Sequence, residues 1–122
     1  MSAKILTVDD SASIRMTTRI ALTNAGYEVT EAVDGSDGLA KLNSGSFDLV
    51  ITDLNMPNMD GLTMIRELRK VPAHTGIPVV FLTTESDGDI KQQAKEAGAT
   101  GWLTKPFDPE SLVKIAKKVL GK

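Results

Sequence analysis

The sequence predicts an α/β domain built on a five-stranded parallel sheet with helices on both faces, a doubly wound arrangement. Three observations carry this. Short apolar runs recur at 5–8 (ILTV), 49–51 (LVI) and 79–82 (VVFL), each bounded by polar or turn residues, as strands buried on both faces are. Between them lie segments whose apolar residues are spaced three and four apart, the period of a helix. Strand and helix alternate five times, at a spacing that suits parallel crossovers.

The elements follow in order. Residues 5–8 stop abruptly at Asp9 and Asp10. Ser11 and Ser13 suit the cap of the next helix, whose inner face is Ile14, Thr17 or Thr18, Ala21 and Ala25, with Gly26 as its stop. Residues 27–32 read as the second strand, Asp34-Gly35 as a turn, and 36–42 as a short helix using Leu39 and Leu42 and closed by 43–45 (NSG). The central strand carries Thr52 and Asp53 at its end, and Pro57 and Gly61 mark the chain leaving the sheet. Met64, Ile65 and Leu68 give the next apolar face, with Arg66, Arg69 and Lys70 outward and Pro72 beyond.

Pro78 opens the fourth strand, which stops at Thr83, Thr84 and Glu85. Residues 87–97 carry only a thin stripe of Ile90, Ala94 and Ala97, capped by Gly98. Trp102 and Leu103 form a brief fifth strand, broken by Lys105-Pro106. Asp108-Pro109 is a helix start with an acid at the N-cap and proline in the first position. Leu112, Ile115, Ala116, Val119 and Leu120 form its apolar face, and Lys117, Lys118 and Lys122 sit where the helix dipole favours cations.

The chain has 122 residues, 41% hydrophobic and 25% charged, with a net charge of −2 and no cysteine. Residues 1–122 are expected to form one domain with no output domain attached. The charge is too mild for a nucleic-acid footprint. Without cysteine there are no disulfides and no thiolate metal site. No run of about 18 apolar residues is present, and the start turns acidic too early for a signal peptide. The expected setting is the cytoplasm, with neither membrane nor nucleic acid as a partner.

In a parallel sheet all carboxyl ends share one edge, and ligands gather there. Four strands end in polar chemistry: Asp9-Asp10, Asp53, Thr83-Thr84 and Lys105. Each has a plainer role as a cap or loop residue; four on one edge is a poor coincidence. Clustered carboxylates repel unless they share a cation. An all-oxygen donor set suits a hard ion, and Mg²⁺ fits best because it favours phosphate as a further ligand. A hydroxyl and a fixed amine suit phosphoryl oxygens, and a carboxylate can act as a nucleophile toward phosphorus.

These residues, with DLNMPNMDG at 53–61 and KPF at 105–107, resemble the receiver domain of two-component response regulators, and among them the stand-alone CheY-like chemotaxis group. The likeness covers residues 4–120. It implies the strand order 2-1-3-4-5, for which CheY is itself a standing example. It implies Asp53 as phosphoacceptor. Mg²⁺ would be bound by Asp10, Asp53 and the backbone carbonyl of Asn55, with Asp9 acting largely through water. Thr83 would bond one phosphoryl oxygen and Lys105 would pair with another, and the Lys105-Pro106 bond is cis in such relatives.

The resemblance also implies a role. The protein would take phosphate from a CheA-like histidine kinase or a small phosphodonor, catalyse only its own phosphorylation and dephosphorylation, and not turn over as an enzyme. Thr83 would move toward the phosphoryl group and free space for an aromatic, biasing a surface of the fourth helix, fifth strand and fifth helix. The expected listener is a flagellar motor switch protein, with a phosphatase as a further partner and the protein a monomer. A phosphorelay intermediate passing phosphate to another histidine is the second reading. Trp102 replaces the commoner Tyr or Phe, and Thr84 the commoner Ala or Gly. Asn55 and Glu85 stand at positions that influence phosphoryl lifetime, and imply a short one.

Other classes fit less well. A haloacid-dehalogenase-type phosphatase needs an acid two residues after its nucleophile, where this chain has Asn55. A flavodoxin-like carrier needs a phosphate loop where Asp9-Asp10 would repel the ligand. A receiver that only binds partners would not need the full acceptor set.

Overall fold

In the computed structural model, the strand that carries Asp53 lies at the centre of the sheet. The residues described are 3–54, 59–71, 76–83, 88–104 and 107–121, the side chains of 88–91 excepted. The strands are β1 (Lys4–Val8), β2 (Glu28–Ala32), β3 (Leu49–Asp53), β4 (Val79–Thr83) and β5 (Gly101–Thr104). All pair in parallel in the order β2-β1-β3-β4-β5. The helices between and after them are α1 (Ala12–Asn24), α2 (Gly35–Ser44), α3 (Gly61–Leu68), α4 (Gly88–Glu96) and α5 (Pro109–Leu120). The doubly wound fold and its strand order are those expected.

Alternation along each strand divides the core in two. Leu6, Val8, Val50, Val79 and Phe81 pack with Leu42, Met64, Ile65, Leu68, Ala94 and Ala97, on the face covered by α2, α3 and α4. Ile5, Leu49, Ile51, Val80 and Leu82 pack with Ala21, Leu22, Leu112 and Ala116, on the face covered by α1 and α5. Every residue of β3 and β4 is buried, which is why these strands read as unbroken apolar runs. At the edge, β2 alternates exposed and partly covered residues until Ala32.

Several local expectations shift. The buried row of α1 is Thr18, Ala21 and Leu22, while Ala25 is its C-cap. Thr18 rather than Thr17 faces inward, and its hydroxyl donates to the Ile14 carbonyl at 2.7 Å. Asp34-Gly35 is not a free turn. Asp34 is the N-cap of α2, accepting from the Asp37 N–H at 2.8 Å, and Gly35 opens the helix against Met59. Its N–H donates to the Met59 carbonyl at 3.1 Å, and an added Cβ would lie 2.8 Å from the Met59 side chain. Arg69 does not point outward. It caps α3 and turns back to donate to the carbonyls of Ile77 (2.8 Å), Gly98 (2.9 Å) and Ala97 (3.4 Å). Partial burial lowers its pKa from the ordinary value, and these acceptors recover part of the lost hydration.

Candidate acidic site at the sheet edge

The site starts from strand register. Val8 pairs with Thr52, so Asp9 and Asp53 each follow a member of the same pair. Asp53 pairs with Leu82, so Thr83 follows immediately on the other side. Thr83 in turn pairs with Thr104, the residue before Lys105. The acids that follow β1 and Thr83 at the end of β4 thus lie along the sheet edge on either side of the central strand that carries Asp53.

Asp9 is held from three directions and is 2% exposed. Its N–H donates to the Ala32 carbonyl at 3.1 Å. Its Oδ1 accepts from the Ser11 N–H at 2.9 Å. Its carbonyl accepts from Arg15 Nη1 at 2.6 Å. Asp53 is buried, and its carbonyl accepts from the Thr52 hydroxyl at 3.0 Å. Asp10 is exposed. One carboxylate oxygen from each of Asp9, Asp10 and Asp53 lies within 4.8 Å of the others.

Three carboxylates at this spacing oppose one another. A pair of like charges about 4 Å apart costs from roughly 1 kcal/mol in water to roughly 4 kcal/mol in the intermediate dielectric of a protein surface. A shared divalent cation would reverse the sign. The donors are all oxygen, which fits Mg²⁺ and excludes the soft-ligand metals.

Thr83 is buried at the end of β4, on the same edge. Asn55, Thr84, Glu85, Lys105 and Pro106 lie outside the described residues. Trp102 is partly buried and packs on the core face that contains Phe81. It also lines a groove of about 510 Å³ with Lys95, Ala99, Thr100, Ile115 and Lys118, between the end of α4, β5 and α5.

Two features were not anticipated from sequence. Gly61 opens α3 directly against the Asp53 carbonyl, so close that a Cβ there would collide with it. Arg15 grips the Asp9 backbone from α1. The signal for the first was the glycine itself, expected in a turn. The second left none, because its acceptor is a main-chain oxygen.

The family model described as the response regulator receiver domain matches residues 5–117. This chain belongs to that family. It is similar to the chemotaxis protein CheY of Pseudomonas aeruginosa, 37% identical over 117 residues, which cover 95% of this chain and 94% of the relative. It spans only 48% of the length of another relative, the transcriptional regulatory protein ResD of Bacillus subtilis. Among solved structures, the chemotaxis protein CheY4 of Vibrio cholerae superposes with a TM-score of 0.94 at 45% identity, covering 98% of this chain and 99% of that one. The receiver domain of sensor histidine kinase PA1611 from Pseudomonas aeruginosa, with a magnesium ion coordinated in its active-site cleft, superposes with a TM-score of 0.91 at 25% identity over the full length of both. Membership leaves the phosphatase and flavodoxin-like readings without support. No helix among the described residues is long and apolar enough to cross a membrane.

Proposed function

We propose that this receiver takes a phosphoryl group onto Asp53 from a histidine kinase and signals by protein contact in the cytoplasm, in chemotaxis. The observation that carries the reading is the convergence of Asp9, Asp10 and Asp53 within 4.8 Å at the end of the central strand. Asp9, Asp10 and Asp53 are the side chains to hold Mg²⁺, with the Asn55 carbonyl as a further ligand. When bound, the ion would offset the acids' repulsion and the charge of the incoming phosphoryl oxygens.

A carboxylate oxygen of Asp53 attacks phosphorus, the phosphorus–nitrogen bond of the kinase phosphohistidine breaks, and an acyl phosphate forms. Thr83 donates its hydroxyl to one phosphoryl oxygen and Lys105 pairs with another. Water later attacks phosphorus, the bond between phosphorus and the Asp53 oxygen breaks, inorganic phosphate leaves and the carboxylate is restored. The chain acts on itself alone and is not a turnover enzyme.

The added charge and acceptors give the two states different contacts. Thr83 couples to the neighbouring strand β5, and the face of α4, β5 and α5 around Trp102 passes the change to a partner. The likeness to the chemotaxis proteins CheY and CheY4 supports a CheA-like kinase as the donor, and a flagellar motor switch protein is the partner proposed to receive the signal. Incubation with an autophosphorylated histidine kinase and Mg²⁺ is expected to label the wild type and leave Asp53→Asn unlabelled. A wild type that stays unlabelled by both the kinase and acetyl phosphate would refute the proposal. A pull-down with and without a phosphoryl mimic then distinguishes a motor switch partner from a histidine phosphotransfer protein.

A further inference from the structure

We propose that Arg15 is a positioning residue for the acidic site, aimed by Glu31. The inference rests on the reading of Asp9, Asp10 and Asp53 as a divalent-cation site. Asp10 is the exposed member of the three, so packing does little to direct its carboxylate. Its backbone is held instead. Arg15 Nη1 donates to the Asp9 carbonyl at 2.6 Å. The peptide group is planar, so pinning that oxygen also fixes the amide nitrogen of Asp10. On the other side, the Ser11 N–H is bound by Asp9 Oδ1 at 2.9 Å. The Asp10 backbone is therefore clamped at both ends.

Arg15 is itself fixed. Its Nε lies 3.6 Å from Glu31 Oε1, and Arg19 Nη1 lies 3.2 Å from Glu31 Oε2. Glu31 sits on β2 opposite Thr7 of β1, and its carbonyl accepts from Lys41 Nζ. The sheet sets the glutamate, the glutamate sets the guanidinium, and the guanidinium sets the Asp9–Asp10 peptide. The arrangement uses separate nitrogens of one planar fork, which a lysine cannot reproduce.

Three roles for Arg15 predict different changes in Mg²⁺ affinity, read by isothermal titration calorimetry on protein shown to be folded by circular dichroism. A positioning role predicts weaker binding for Arg15→Met, by about tenfold to a hundredfold, as for other groups that orient metal ligands from behind. A purely electrostatic role predicts the opposite sign, because removing a nearby cation favours a bound cation. A merely structural role predicts a lower melting temperature with unchanged affinity. We expect weakened binding for Arg15→Met, and for Arg15→Lys a weakening between that variant and wild type. Unchanged or tighter binding in Arg15→Met would overturn the proposal. If that variant does not fold, Glu31→Gln, which loosens the arginine without removing it, is expected to weaken binding severalfold, and unchanged affinity would overturn the proposal equally. A wild type that binds no Mg²⁺ would instead overturn the cation-site reading, and this role with it.

Discussion

Asp53 is buried at the end of β3, and the next helix begins against its carbonyl. Gly61 allows that approach. Its N–H donates to the Leu54 carbonyl at 3.0 Å, and the Asp53 carbonyl occupies the space a side chain would need. Gly61→Ala must therefore push α3 away from the end of β3. The expected cost is about 1–3 kcal/mol, the usual range for forcing a methyl group into filled space. Urea denaturation of the variant checks it, and a midpoint equal to wild type would show that α3 adjusts freely. Chain order alone marks Gly61 as a turn residue; its close contact with Asp53 is a tertiary approach that local sequence does not record. The same limit hid the grip of Arg15 on Asp9, since side-chain patterns do not reveal main-chain acceptors.

At the scale of elements, caps were easier to read than long side chains. Asp108 and Pro109 start α5 as expected, with Asp108 Oδ1 accepting from the Ser111 N–H at 2.7 Å. That bond, reinforced by the Ser111 hydroxyl, holds the Asp108 pKa below its ordinary value of 3.8. A carboxylate whose pKa is depressed on folding adds stability above its unfolded pKa and loses it as pH falls through the folded one. Asn caps comparably but does not titrate in this range. The melting temperature of wild type relative to Asp108→Asn is therefore expected to fall as pH drops from 5 toward 3. A difference that stays constant over that range would contradict the assignment. Arg69 shows the converse case. Its place after Leu68 looks like an outward position on α3, yet Ile77, Ala97 and Gly98 present their carbonyls to its guanidinium. Tertiary acceptors decided its direction, and helical periodicity carries no record of them.

For the whole molecule, the alternation of apolar strand runs with helical spacing was enough to yield the sheet, its two packed faces and the shared edge. Strand order came from the family's motifs, because crossovers of similar length permit several orders. The acid cluster followed from that order: β1 beside β3 brings Asp9 and Asp10 to Asp53. On the proposed reading, the signal would leave this edge through β4 and β5, where Thr83 pairs with Thr104 and Phe81 with Trp102. Trp102 is the only tryptophan, so its fluorescence is expected to change when Mg²⁺ and beryllofluoride are added together. A silent signal from protein that demonstrably accepts phosphate would show that this side chain is uncoupled from the switch. On the proposed reading, one acid among three accepts the phosphoryl group, and only with a divalent ion present. Borohydride reduction after treatment with acetyl phosphate converts an aspartyl phosphate to homoserine, which peptide mass mapping then locates. Homoserine is expected at residue 53 in Mg²⁺ and at no position in excess chelator; conversion at Asp9 or Asp10, or at residue 53 without the metal, would overturn the proposal.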